Sequence, residues 1–204
     1  MRFDNILVEM IELPKLVLAS GSPRRSEILT SVGWPFERVV ADIDEAAIEG
    51  ESPDDYVVRL AREKAEAVAA KLDANAIVLG ADTTVVIGRE IIGKPTDLDD
   101  ARRMLRLLSG RTHEVLTGVA IVRKGNTTSD LERTFVEFAE MTGDEIEFLA
   151  VNGQPLDKAG AYAVQAQAAL FIRKIDGDYW NVVGLPINLV YRLINAESPR
   201  VCEG

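Results

Sequence analysis

The stretch Leu16–Leu29, LVLASGSPRRSEIL, decides how the rest of the chain is read. Residues 16–20 carry the apolar pattern of a buried strand, Gly21 interrupts it, and Ser22-Pro23 restarts the chain as a helix. Serine is a favoured N-cap and proline a favoured first helical residue. A short buried strand running directly into a helix is a building unit of mixed α and β architectures. The charge at this helix start is unusual. Where a capping box would put a carboxylate, at the third helical position, the chain has Arg25, with Arg24 beside it, both against the positive end of the helix dipole. A bound anion would resolve the conflict, because free backbone N–H groups, the Ser22 hydroxyl and two guanidinium groups could converge on a phosphate. Two solvated arginines after an ordinary cap fit the segment equally well.

The remainder of the chain continues the mixture. The first helix spans about residues 23–32 and stops at Gly33. An acidic loop with Asp42, Asp44 and Glu45 follows, then Ser52-Pro53-Asp54-Asp55 opens a second helix running to about Leu72. Ala76–Gly80 reads as a buried strand and Thr84–Ile92 as a hairpin turning at Gly88-Arg89. A helix capped by Thr96 covers about 97–108 and closes at Gly110. Strands over about 112–123 and 128–141 flank a Gly125-Asn126 turn, and Thr142 with Glu145 forms a capping box for a helix ending near Gly153. The last part reads as strand 169–175, a turn at Asp176-Gly177, strand 179–183 and a helix from Pro186 to about Asn195. This order predicts an α/β fold with a mixed sheet, and the chain has no internal repeat.

With 204 residues and 47% hydrophobic content, one folded unit, with two lobes around a cleft, is expected across residues 1–204. Residues 1–14 read as a short extension, too acidic for a signal peptide, and 197–204 as a polar tail. The net charge of −10 argues against a nucleic-acid or membrane-surface partner, so any anionic ligand must be held by a local basic cluster. A lone cysteine, Cys202, excludes a disulfide framework and a cysteine-ligated zinc site, and fits a reducing cytoplasm.

Several charged residues sit where they could serve such a cluster. Lys64 falls in the i+4 row Tyr56, Leu60, Lys64, Val68, Leu72 and shares the apolar face of its helix. It either snorkels to the rim or points into a cleft. Asp82 follows the apolar run ending at Gly80, so its carboxylate is expected to emerge at a strand end, where α/β folds place ligands. A turn-forming Asp reads the same way. Lys94 precedes Pro95, which confines it to extended backbone at the end of the hairpin. Glu45, with Asp42 and Asp44 nearby, could offer oxygen ligands to a hard cation such as Mg²⁺. His113, the one histidine, is read as structural; covalent catalysis through an activated serine then lacks its base, which leaves carboxylate- and metal-assisted attack by water.

Taken together, LVLASGSPRRSEIL, VVADIDE, YVVRLAREKA, VLGADTTV, GKPTD, MLRLLSGRTHEVLTGVA, PLDKAGAYAVQ and VVGLP, in this order from Leu16 to Ile194, resemble the Maf family of nucleoside triphosphate pyrophosphatases. The resemblance implies an elongated α/β fold similar to the inosine triphosphate pyrophosphatases, with a mixed sheet flanked by helices and two lobes around a deep cleft. It implies hydrolysis between the α and β phosphates with a divalent cation, Mg²⁺ or Mn²⁺, and a homodimer. By motif, Ser22, Arg25, Lys64 and Lys94 would hold phosphate, Asp82 would accept the proton of the attacking water, and Glu45 together with Asp82 would bind the metal. Arg24, Thr83 and Gln165 resemble the branch acting on dTTP and UTP, whereas a branch acting on 7-methyl-GTP tends to have Trp, Gln and Glu there. One departure stands out: the family continues after the glutamine with glycine, and this chain has Ala166. If that glycine serves a positive φ or a close approach to the base, Ala166 would reshape the pocket. Alternatives to a dTTP/UTP enzyme are a pyrophosphatase for 7-methyl-GTP or another modified nucleotide, and a nucleotide-binding regulator of cell division.

Overall fold

The fold, taken from a computed structural model, is described for residues 11–196. The leading part of the 1–14 extension, the 197–204 tail and Cys202 therefore lie outside the described residues. The strands are β1 (Leu16–Leu18), β2 (Phe36–Arg38), β3 (Val78–Ile87), β4 (Glu90–Ile92), β5 (Thr112–Arg123), β6 (Asn126–Phe138) and β7 (Ile172–Asp176). The helices are α1 (Pro23–Ser31), α2 (Pro53–Ala69), α3 (Leu98–Leu108), α4 (Gly143–Asn152), α5 (Tyr179–Val183) and α6 (Ile187–Asn195), with short 3-10 turns at 155–157, 159–161 and 167–170. Among the described residues no helix is long and apolar enough to cross a membrane.

The strands form one mixed sheet in the order β2-β1-β3-β5-β6-β7, with β4 paired to β3 off that path. Strand β1 is parallel to β2 and β3, and the other pairings are antiparallel. The sheet forks at β3. One edge of β3 is occupied by β5 from Val78 to Val86. Its other edge meets β1 at Val78–Leu79 and β4 at Val85–Ile87, which leaves residues 80–84 without a strand partner on that side. A cleft opens at this fork.

Alternation along the strands separates the two faces of the sheet. Val78 and Val86 of β3, with Leu116 and Ala120 of β5, face α2. Leu79, Ala81, Val85, Val115 and Val119 face the larger core, to which α1, α3, α4 and α6 contribute Ile28, Leu105, Leu149 and Leu189. Helix α2 lies unusually close to the sheet. A Cβ on Gly80 would stand 2.1 Å from the Ala61 carbonyl oxygen, and one on Gly118 2.2 Å from that of Val57. These two glycines let the helix backbone rest on β3 and β5, which places Lys64 directly over the strand carrying Asp82.

Several sequence expectations are corrected by the structure. Strand β1 stops at Leu18 instead of residue 20, because Ser20 turns its hydroxyl to the Ser22 amide and to Arg25. The three-residue edge strand β2 is too short to show an alternating pattern and was not anticipated. Asp82 does not emerge at a strand end: β3 runs continuously through it, with Asp82 opposite Gly118. Helix α3 is capped by Asp97, whose side chain accepts from the Asp100 amide, in place of Thr96. Helix α2 ends at Ala69 before Leu72, and β6 covers 126–138 instead of 128–141. Residues 169–175 divide into a 3-10 turn and β7. Residues 179–183 are helical, not a strand, because the Asp178 carboxylate accepts from the Trp180 and Asn181 amides and caps the turn, overriding the β preference of the YWNVV side chains.

Candidate active site

The fork encloses a cleft of about 490 Å³ lined by Ser22, Arg24, Arg25, Glu45, Lys64, Asp82, Thr83, Lys94 and Gln165. Every site residue predicted from the sequence thus borders the same space, although they come from β1–α1, the 39–52 loop, α2, β3, the β4–α3 turn and the chain after Tyr162. The first turn of α1 enters it from the end of β1. Ser22 stands at the N-cap position with Pro23 next, yet its side chain makes no capping hydrogen bond, which leaves the hydroxyl free for a ligand.

The centre of the site is a buried charge cluster. Arg25, Lys64 and Asp82 are each 8% exposed. Lys64 Nζ donates to Asp82 Oδ1 at 2.7 Å and lies 2.7 Å from Glu45 Oε1. Lys64 therefore does point into the cleft; it does not snorkel to the rim. Burial pushes the Asp82 carboxyl above the usual carboxylate range, and the nearby positive charges of Lys64 and Arg25 only partly offset it. Burial acts on Glu45 in the same direction, but the hydrogen bond from Lys64 and the charges of Lys64, Lys94 and Arg25 outweigh it and hold its carboxyl low. The two carboxyls are pushed apart by their surroundings, with Asp82 the more basic.

Arg25 is fixed by three bonds, from Nε to the Gly184 carbonyl at 2.8 Å and from its terminal nitrogens to Ser20 Oγ and Thr83 Oγ1, both at 3.0 Å. A guanidinium has five N–H donors, so two remain for a ligand. The same bonds involve Thr83, whose hydroxyl also lies 2.9 Å from that of Thr117. Arg24 is not a loose surface arginine: it spans the cleft mouth to Asp157, bonding its carboxylate at 2.8 Å and its carbonyl at 3.1 Å. Lys94 and Gln165 are exposed at the cleft edge. The turn preceding Lys94 is held by the Gly160 amide donating to the Gly93 carbonyl at 3.0 Å. Ala166 has φ −118°, an ordinary extended value, so alanine fits this backbone without strain.

Among the further lining residues to which sequence reasoning gave no role are Tyr56, Asp157 and Lys158. Lys158 is buried and donates to Asp157 Oδ1 and the Gln154 carbonyl, both at 2.5 Å. Asp157 and Lys158 were signalled only by membership of the PLDKAGAYAVQ segment, and Tyr56 by the YVVRLAREKA segment and its place in the i+4 row of Lys64. His113 proves structural: it is buried away from the cleft lining, its Nε2 lies 2.7 Å from the Tyr162 hydroxyl, and its ring stacks on Phe138. Asp42 and Asp44 do not line the cleft.

Five basic and three acidic side chains line this space, in a chain whose net charge is −10. Fold and site together define an α/β protein with a mixed sheet flanked by helices and a cleft rich in basic side chains at the fork of that sheet. The chain belongs to the Maf-like protein family, whose model matches residues 15–197. A dTTP/UTP pyrophosphatase of Bacillus cereus (strain G9842) is 49% identical over 180 residues, 88% of this chain and 94% of that protein. A Bacillus anthracis protein of the same name is 49% identical over 178 residues, 87% of this chain and 93% of its own. Among solved structures, the Staphylococcus aureus Ham1 protein matches with a TM-score of 0.53 at 16% identity, covering 90% of this chain and all of that one, and shares the fold.

Proposed function

We propose that this chain, acting as one Maf-like unit, hydrolyses nucleoside triphosphates between the α and β phosphates, releasing the monophosphate and pyrophosphate, with dTTP and UTP preferred. The observation that carries this reading is the set of five basic side chains lining one cleft, two of them acting on a buried carboxylate with a raised pKa, in an otherwise acidic protein. The names of the 49% identical relatives support it.

In this reading Ser22, Arg25, Lys64 and Lys94 bind the phosphates. Water attacks the α phosphorus; the new P–O bond forms as the bond to the α–β bridging oxygen breaks, and the electron pair leaves with pyrophosphate. Asp82 accepts the proton of that water, and its raised pKa makes it a better base than an exposed carboxylate. Charge building on the bridging oxygen is met by the lysines and Arg25 at no cost of reorganisation, since Arg25 is already held by three bonds.

The donor set fits a hard divalent cation. Glu45 and Asp82 both reach to 2.7 Å from one point, now spanned by Lys64 Nζ, and Asp82 Oδ2 takes no hydrogen bond among the described residues. Among those residues no group of three or more metal-ligating side chains occurs, so the protein would supply two carboxylates and the triphosphate and water the rest, as is usual for Mg²⁺. Mg²⁺ or Mn²⁺ held by Glu45 and Asp82 would offset phosphate charge and acidify bound water. Arg24, Thr83 and Gln165 would set the pyrimidine preference. The reading extends to a homodimer in the cytoplasm, with no nucleic-acid or membrane partner.

Pyrophosphate release measured across dTTP, UTP, 7-methyl-GTP and inosine triphosphate, with Mg²⁺ or Mn²⁺, tests it. The expected result is fastest release from dTTP and UTP with the matching monophosphate as co-product. Fastest release from 7-methyl-GTP would transfer the chain to the other branch, and tight binding without turnover would make it a nucleotide-binding regulator.

A further inference from the structure

Glu45 lies in a segment, residues 39–52, that contains no helix or strand. Yet a metal- or water-binding carboxylate must be held to within a fraction of an ångström to work. Within the loop the Asp44 carboxylate accepts from the Ala46 amide at 2.9 Å, and the bonds that tie Glu45 and Ala46 to the rest of the fold come from one helix. Tyr56, in the first turns of α2, donates its hydroxyl to the Glu45 carbonyl at 3.1 Å. Arg59, on the next turn, donates from Nη2 to the Ala46 carbonyl at 3.1 Å. Its guanidinium is itself oriented by a two-pronged pair with Glu51, at 2.6 and 2.8 Å, by Glu63 at 3.3 Å, and by the Tyr56 ring, over which it lies at 5.7 Å. Glu51 belongs to the same loop, so Arg59 grips the loop at two points on either side of a turn. Further along the helix, Lys64 completes the set on the Glu45 side chain.

We infer that Tyr56 and Arg59 are positioning residues that fix Glu45 in the cleft by clamping the backbone at its own carbonyl and at the one that follows it. The inference rests on the role given to Glu45 above. Neither residue needs to touch the substrate. Two backbone carbonyls in succession, Glu45 and Ala46, are bonded from one rigid helix face, and that helix is in turn seated on the sheet at Gly80 and Gly118. The loop therefore takes its register from α2, and so does its carboxylate. Without the clamp Glu45 must be ordered at each turnover, which costs backbone entropy.

Three variants and two readouts test this. Tyr56→Phe removes only the hydroxyl, Arg59→Ala removes the clamp, and Arg59→Lys keeps charge but loses the forked geometry. For dTTP hydrolysis, kcat/KM is expected to fall about 3- to 10-fold in Tyr56→Phe and about 10- to 100-fold in Arg59→Ala, with Arg59→Lys between. Hydrogen exchange should speed up in residues 42–48 and stay unchanged in β3 and β5. In a Glu45→Gln background the same substitutions should cause little further loss, because the group they position is gone. Equal losses in that background, unaltered loop exchange, or wild-type turnover in Arg59→Ala overturn the inference. If the wild-type chain hydrolyses no nucleotide, the proposed function fails, and loop exchange in Tyr56→Phe and Arg59→Ala alone decides the clamp.

Discussion

Asp82 faces α2 from the middle of β3, bonded to Lys64 and pushed to a higher pKa by its burial. In the proposed role of proton acceptor it must be ionised, so turnover should rise with pH through a value raised above that of an ordinary carboxylate, whereas Glu45 is held low. Asp82→Asn is expected to lose turnover by about 10²–10⁴-fold and to abolish this acid limb, with an unchanged circular dichroism spectrum. Retained activity with the limb intact would assign the base elsewhere. The residue was visible in the sequence as an acid after an apolar run, but its partner was not. Lys64 showed only as a charge in an apolar i+4 row; that it meets Asp82 across 18 positions is a product of packing.

At the scale of elements, the seat of α2 on the sheet governs the site. Gly80 and Gly118 read in the sequence as ordinary strand glycines, yet each faces a helix carbonyl closer than any Cβ could stand. Gly80→Ala is expected to push α2 away, lowering stability by about 1–3 kcal/mol and turnover with it, since Lys64 and the clamp on Glu45 ride on the same helix. Thermal unfolding and dTTP hydrolysis measure the two effects, and an unchanged melting temperature would show that the helix is free to shift. Helix starts were largely legible because caps are local chemistry: Ser52 and the Thr142–Glu145 box behave as their residue types suggest. The segment 179–183 was misread for the complementary reason. Its side chains favour a strand, and the Asp178 cap, together with the turn at Gly184, decides for a helix.

At the scale of the whole molecule, the larger core encloses His113, which joins the start of β5 to Tyr162 and Phe138. Burial lowers its pKa to about 4. An unfolded chain would bind a proton near pH 6.5 while the folded one stays neutral to about pH 4, so the folded state loses stability as pH falls through this window and keeps it above. The loss amounts to about 3 kcal/mol by pH 4. Urea unfolding between pH 7 and 4 should show a flatter pH dependence in His113→Gln than in the wild-type protein; parallel curves would mean that other groups dominate.

The sequence by itself determined the α/β mixture, most helix starts, the net acidity with its local basic exceptions, and the family, because each rests on short-range chemistry or on ordered motifs. Only the tertiary structure decided that β3 runs unbroken, that the sheet forks around residues 80–84, and that nine separate residues border one cleft. It also decided which charges are paired: Arg24 with Asp157, Lys64 with Asp82 and Glu45, and Arg25 with neutral oxygens only. The SGSPRR turn shows the division. Its two adjacent arginines are equivalent as sequence, yet helix geometry sends one into the core beside Thr83 and the other across the cleft mouth. Which side of a helix is buried depends on what packs against it, and that is set by distant parts of the chain.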